Sequence, residues 1–303
     1  MKGLSILVTG GAGFIGSNLV EALAKDNSVT VLDNFHTGSM DNLAGALKGG
    51  DVEVIRMDVK DVRSLNKRFD LVYHLGIYSS APMYREDPGL VGEVIDGMVA
   101  VLEYCRSRGS TLVFASTSSI YSGLQPPHRE DMVPRVTDFY TEARISAERL
   151  ANLYAVLYGV NSAAMRFFSV YGYHEGAKGR YANLVTQFLL SMKRGEAPVV
   201  YGDGSQRRDF TFVTDVVDAL LRASSVKGFA PYNVGTGVSY TINDMIDRLN
   251  RALGTAIRAK YVPMPVANYV METLADTGKA EKELGFRARV SLDEGIARLA
   301  GST

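Results

Sequence analysis

The stretch Asp138-Phe139-Tyr140-Thr141-Glu142-Ala143-Arg144 holds a phenol and, four residues on, a guanidinium. At the start of an amphipathic helix this spacing puts both on one face. A surface pair would look the same. So would an acid-base site: an unperturbed phenol ionises near a pKa of about 10, and a cation within about 4–6 Å favours its charged form. Such a phenolate removes a proton from a substrate hydroxyl. A second cluster, "ASTSSIYS" (115–122), gathers hydroxyls at the end of an apolar run, where they also suit turns.

A third group is the glycine triplet Gly10, Gly13 and Gly16 in "VTGGAGFIGSNLVEAL". It closes a strand and opens a helix. Glycines there give a tight turn and let pyrophosphate approach the backbone, and the helix N-terminus offers free N–H groups and a positive dipole. Asp33 ends the next strand, about twenty residues beyond Gly10, where a carboxylate accepts from a ribose 2′-hydroxyl and repels a 2′-phosphate. Dinucleotide binding, with NAD favoured over NADP, follows. Asp33 as a mere turn cap is the weaker reading.

The elements that must carry these groups are legible. "LSILVT" (4–9), "SVTVLD" (28–33), "VEVIRMD" (52–58), "DLVYHL" (70–75), "TLVFAS" (111–116) and "NSAAMRF" (161–167) are short, continuous and β-branched, as buried parallel strands should be. Helices are expected at 14–26, 88–108 and 138–158. The alternation predicts an α/β fold with a Rossmann-type doubly wound parallel sheet over 1–167. After 167 come loops rich in Gly, Arg and Tyr between helices near 181–194, 214–224, 241–253 and 291–300. The expectation for 168–303 is a smaller C-terminal substrate-binding lobe, with some segments returning to the sheet.

Composition narrows the classes. The 303 residues carry 33 Lys+Arg against 33 Asp+Glu, so no basic footprint for nucleic acid or anionic membrane is present. The single Cys105 excludes an internal disulfide and fits a reducing, cytoplasmic setting. "MKGLSILVTGG" is too short for a secretory signal and reads as the first strand; no apolar run is long enough to span a bilayer. His36, His74, His128 and His174 are scattered without metal-ligand spacing, and no G-x-S-x-G elbow marks a hydrolase.

Thr9 to Gly16 (T-G-G-x-G-F-I-G) resembles the opening motif of the extended short-chain dehydrogenase/reductase superfamily, and the resemblance runs over nearly the whole chain. It is closest to the NAD-dependent nucleotide-sugar epimerases and dehydratases, UDP-glucose 4-epimerases above all. Tyr140 and Arg144 fall on the family's Y-x-x-x-K, with arginine in place of lysine. Counting back from Tyr121 of "IYS" puts the catalytic hydroxyl at Thr117, with Ser116 and Ser118 as neighbours.

The resemblance implies that NAD contacts Gly10, Gly13, Phe14, Ile15, Gly16, Asp33, Asn34, Asp58, Val59, Leu75 and Gly76, together with Tyr140 and Arg144. It places the substrate against Ser79, Thr117, Ser169, Asn183 and Arg208. Asp58 as a cap for the following helix has equal weight, and His74 is expected to pack rather than react. Arg208 lies in "RRDFTFVTDV", which resembles the diphosphate-gripping segment; Asn183 lies in "YANLVTQF", on the uracil side.

Three departures concern the substrate. Ser169 replaces the asparagine of R-x-x-N-V-Y-G, "PVANYVMETLADTGKA" lacks the late arginine, and "YSSAPMYRED" lacks an early lysine that Tyr84 and Arg85 either replace or do not. A guanidinium fork keeps the charge of lysine but not its geometry. Arg144 therefore marks a working variant, a slow enzyme or a cofactor-binding relic; the first is favoured because the other parts are intact.

Dehydratases and decarboxylases of the family place an acid just after the catalytic hydroxyl, whereas Ser118 and Ser119 stand here. What remains is C4 epimerisation of a UDP-hexose through a transient 4-keto sugar. The alternatives are a net sugar-nucleotide oxidoreductase and a non-catalytic nucleotide binder. In this family helices 88–108 and 138–158 build a homodimer. Ile145, Leu150, Leu153, Tyr154 and Leu157 either line such a face or pack on the sheet.

Overall fold

The computed structural model describes residues 1–136, 138–264 and 269–301. In chain order the strands are β1 (Ser5–Thr9), β2 (Ser28–Asp33), β3 (Asp51–Arg56), β4 (Leu71–His74), β5 (Thr111–Thr117), β6 (Ser162–Phe167), β7 (Val170–Tyr171), β8 (Val199–Tyr201), β9 (Arg207–Asp209), β10 (Thr211–Phe212), β11 (Phe229–Val234), β12 (Ser239–Thr241) and β13 (Lys260–Val262). The α-helices are α1 (Phe14–Leu23), α2 (Ala44–Gly49), α3 (Ala81–Glu86), α4 (Leu90–Arg108), α5 (Phe139–Tyr158), α6 (Leu184–Lys193), α7 (Val213–Arg222), α8 (Ile242–Leu253), α9 (Gly278–Leu284) and α10 (Leu292–Gly301).

Seven strands form the central parallel sheet in the order β11-β6-β5-β4-β1-β2-β3. Alternation along β1 sends Ile6 and Val8 to one face, against Leu19 and Val20 of α1 and Val216 and Leu220 of α7. Leu7 faces the other way, with Met98 and Val101 of α4 and Ala147 and Ala151 of α5. Both faces are therefore covered over β1, β2, β4, β5 and β6, which is why these strands read as continuous apolar runs; β3, expected to be buried like them, is a partly exposed edge strand. The chain leaves β1 toward β2 and β3, then returns to β4 and runs outward the other way. This reversal lies between β1 and β4, and ligands of open α/β sheets bind beyond the carboxyl ends of strands at such a point.

β11 is absent from the six strands read from sequence, where "YNVGTGVSY" counts as loop. It carries Pro231 and pairs within the sheet only with β6. At an edge a proline removes no hydrogen bond from a second neighbour, so the strand survives a residue that would break a central one. The C-terminal half also builds its own core, where Phe188, Phe212, Met245, Leu249 and Ile296 pack together and receive Phe14 from α1.

The start of α5 answers why "DFYTEAR" begins where it does. Asp138 is the N-cap: its carboxylate accepts from the Thr141 N–H at 2.7 Å, and the Thr141 hydroxyl accepts from the Asp138 N–H at 3.3 Å. This reciprocal cap fixes Tyr140 in the first turn and Arg144 one turn on. At the far end, Gly159 takes the left-handed conformation (φ 69°) that closes the helix.

Candidate active site

The carboxyl ends of β1, β4 and β5 open into a cavity of about 480 Å³, within the range of small-molecule sites. Every residue the sequence nominates lines it: Gly10, Gly13, Phe14, Ile15, Gly16, Asp33, Asn34, Asp58, Val59, Leu75, Gly76, Ser79, Thr117, Tyr140, Arg144, Ser169, Asn183 and Arg208. They come from both halves of the chain, so the cavity lies between the carboxyl edge of the sheet and segments that follow β6.

The glycine turn suits a dinucleotide. Gly10 has φ +69°, and a Cβ there would lie 2.5 Å from the Gly76 Cα; a Cβ on Gly16 would lie 2.1 Å from the Gly10 carbonyl oxygen. Only glycine lets β1, α1 and the end of β4 approach this closely. Helix α1 has Gly13 at its N-cap, so it starts with no side-chain cap, and it carries no acid in its first turn. Its first N–H groups are thus free to meet an anion.

Asp33 is buried, with Oδ2 accepting from the Ala12 N–H at 2.9 Å and Oδ1 from the Phe35 N–H at 2.7 Å. Burial raises its pKa, while N–H groups of Phe35, Ala12 and Gly13 pull the other way. Asp58 does both things considered for it: it caps the following 3₁₀ turn through the Lys60 N–H at 3.0 Å and accepts from Asn34 Nδ2 at 3.3 Å at the cavity wall.

Tyr140 and Arg144 are 8% and 3% exposed, with the guanidinium carbon 5.1 Å from the phenol ring centroid. They are not a surface pair. The arginine donates to two backbone carbonyls, Tyr78 at 2.6 Å and Ala115 at 3.3 Å, and its buried Nε has no hydrogen-bond partner. Tyr84 is buried with its ring edge-on to Tyr140 at 5.4 Å, and its hydroxyl donates to the Tyr78 carbonyl at 3.0 Å. Burial pushes the Tyr84 phenol up to about 12. It therefore supports the site as a neutral group, while Arg85 is an exposed part of the cavity wall.

Thr117 ends β5, and its Oγ1 accepts from the Ser119 N–H at 3.1 Å, capping a 3₁₀ turn. Its neighbour Ser116 donates to buried Glu148 at 2.5 Å, which turns that hydroxyl toward α5. His74 is packed in the sheet against Thr9 Oγ1 at 2.7 Å. Burial, and then the charge of Arg144, push it down to about 3, so the ring is neutral.

On the lobe side, Asn183 caps α6 through the Val185 N–H at 3.0 Å. Arg208 donates to the backbone carbonyls of Arg207 (2.7 Å), Val270 (2.5 Å) and Met271 (3.3 Å). Residues 265–268 of "PVANYVMETLADTGKA" lie outside the described residues. Sequence reading missed Glu175 and Lys178, both cavity-lining, in a segment taken as loop; 3₁₀ turns place them. Their one signal was the spacing of three between acid and base. Among the described residues no group of three or more His, Cys, Asp or Glu could hold a metal ion. No described helix is long and apolar enough to cross a membrane.

Together the sheet reversal, the glycine turn with its acid, and the buried Tyr140–Arg144 pair define a dinucleotide-binding α/β protein of the short-chain dehydrogenase/reductase type. The model of the NAD dependent epimerase/dehydratase family matches residues 6–235, and the chain belongs to that family. Its cofactor is NAD. UDP-glucose 4-epimerase of Mycolicibacterium smegmatis is 32% identical over 303 residues, covering 96% of this chain and 96% of that one. The solved structure of UDP-N-acetylglucosamine 4-epimerase from Methanobrevibacter ruminantium M1, in complex with UDP-N-acetylmuramic acid, superposes with a TM-score of 0.93 at 29% identity over 99% and 98% of the two chains. UDP-glucuronic acid 4-epimerase from Bacillus cereus, in complex with UDP-glucuronic acid and NAD, gives a TM-score of 0.88 at 27% identity over 97% and 96%. These relatives act on different sugars.

Proposed function

We propose that this protein epimerises C4 of a nucleotide sugar, most simply interconverting UDP-glucose and UDP-galactose. The observation that carries this is the meeting of Thr117 and Tyr140 in one cavity with the glycine turn, while Ser118 and Ser119 supply no carboxylate after Thr117. NAD, when bound, supplies a hydride acceptor that can also return the hydride. Gly10, Gly13 and Gly16, with the α1 N-terminus, hold its pyrophosphate, and Asp33 takes the adenosine ribose.

Tyr140 takes the proton of the sugar 4-hydroxyl and gives it back. Thr117 orients that hydroxyl. Arg144 keeps a fixed positive charge beside the phenol, 5.1 Å from its ring centroid, in a site drier than water and so electrostatically stronger. Ser79, Ser169, Asn183 and Arg208 hold the sugar and its nucleotide. The enzyme is also proposed to pair with a second copy through α5, where Leu153, Val156 and Leu157 are exposed while Leu150 and Tyr154 pack inward; a monomeric mass by light scattering at micromolar concentration would remove that part.

The test incubates purified protein with UDP-galactose, with and without added NAD, following products by NMR and absorbance at the NADH band. UDP-glucose formed with no net NADH supports the reading. NADH accumulating in step with substrate would make the protein a net oxidoreductase. No conversion across UDP-, dTDP- and GDP-sugars would reject catalysis.

A further inference from the structure

The cations lining the cavity differ in how their donors are used. Both terminal nitrogens of Arg144 are held by backbone carbonyls, and Arg208 is held by three. Lys178 is not held in this way. Its side chain is only 14% exposed, and its ionic partner among the described residues is Glu175 Oε1 at 3.6 Å, beyond hydrogen-bond length. An ammonium has three N–H donors and strong hydration to replace. Glu175 does not need all of that charge locally, because its oxygens also accept from the Asn183 N–H at 2.8 Å and the Thr186 hydroxyl at 2.5 Å.

The position of Lys178 indicates what fills those donors. Nζ lies 5.7 Å from the ring centroid of Phe14, the first residue of α1. The uncapped N-terminus of that helix is in the same cavity wall, as is Ser169, a side chain too short to reach far across it. An anion held at the helix start would lie between two positive ends, the dipole and the ammonium.

We propose that Lys178 donates to a diphosphate oxygen in this cavity. The oxygen belongs either to NAD or to the nucleotide sugar; the second source rests on the function proposed above. Glu175 then acts as the counter-charge that aims the lysine rather than as its destination.

Calorimetry with UDP titrated into NAD-loaded protein, and with NAD titrated into UDP-saturated protein, separates the two sources. Lys178→Met is expected to weaken one of the two ligands roughly ten- to a hundredfold, the loss of one charge-assisted hydrogen bond, and Lys178→Arg to retain most of the affinity. Weaker UDP assigns the sugar nucleotide; weaker NAD assigns the cofactor. The double variant Glu175→Gln/Lys178→Met leaves no buried carboxylate without its partner, so it carries the test even if the single variant misfolds. It should bind as weakly as Lys178→Met. Wild-type affinity for both ligands in the double variant would overturn the proposal, since Lys178 would then only neutralise Glu175. Wild-type protein that takes NAD but not UDP would count against the nucleotide-sugar reading, and the NAD arm would still decide the role of Lys178.

Discussion

Arg144 donates a 2.6 Å hydrogen bond to the backbone carbonyl of Tyr78. With its second bond, to Ala115, it ties α5 to the end of β5 and to the loop after β4, and Tyr84 grips the same Tyr78 carbonyl. A compact ammonium cannot span two carbonyls as a fork does. Arg144→Lys is therefore expected to lower kcat roughly tenfold rather than restore a better enzyme, with Arg144→Met losing more. Tyr140→Phe sets the floor, expected to lie roughly 10²–10⁴-fold down with UDP affinity kept. A lysine variant faster than the parent would show that the carbonyl anchors do not matter.

Ser169 sits at φ +30°, a left-handed backbone that serine seldom adopts. Asparagine tolerates that region better, because its amide can bond locally. Ser169→Asn also faces a cavity rather than packed core, so the larger side chain has room. The variant is expected to gain about 0.5 kcal/mol in denaturant unfolding. A loss of that size would mean that the serine hydroxyl, not the backbone, governs the position.

How much could be read beforehand depended on whether the signal was in side chains. Five sheet strands were legible because burial on both faces leaves unbroken apolar runs, and the partly exposed edge strand β3 through its valines and isoleucine; β11 was not, since Pro231 and Asn233 interrupt a run that an edge can still accept. The start of α5 was legible as an amphipathic helix from 138, though its Asp138–Thr141 cap was not read, and the nominated residues gather in one cavity because strand ends and helix starts collect at the sheet reversal. The anchoring of Arg144 was invisible, because its partners are carbonyls of Tyr78 and Ala115, which every residue type possesses. The Ser116–Glu148–Arg166 contact was equally hidden, as it joins β5, α5 and β6 across long stretches of chain.

That contact is a buried ion pair directly behind the site. Arg166 meets Glu148 through Nε at 3.0 Å and a terminal nitrogen at 2.6 Å, with side chains 6% and 8% exposed. Breaking one partner of such a pair leaves the other charged and desolvated. Glu148→Leu or Arg166→Met alone is expected to cost about 3–5 kcal/mol, and the double variant clearly less than the sum. Additive losses in urea unfolding would show that the two charges are solvated separately.

His74 gives a pH dependence of known sign. Its ring is pushed down to about 3 in the folded protein, first by burial and then by Arg144, against an ordinary value of 6.5. Above pH 6.5 it is neutral in both states and contributes nothing to the slope. Below that the unfolded chain takes up a proton that the native ring refuses, so stability falls as pH drops from 6.5 toward 3, by at most about 1.4 kcal/mol per unit. Asp33 works in the opposite sense, because burial raises its pKa and the native state then holds a proton more readily than the unfolded chain. Its contribution is shared by parent and variant and cancels in their difference. His74→Asn, which keeps a polar partner for Thr9, is therefore expected to be less stable than the parent at neutral pH but to lose less on going from pH 7 to 4.5. The two unfolding free energies, measured by urea titration at each pH, should converge. Curves that stay parallel would mean that the folded ring takes up its proton as readily as the unfolded one.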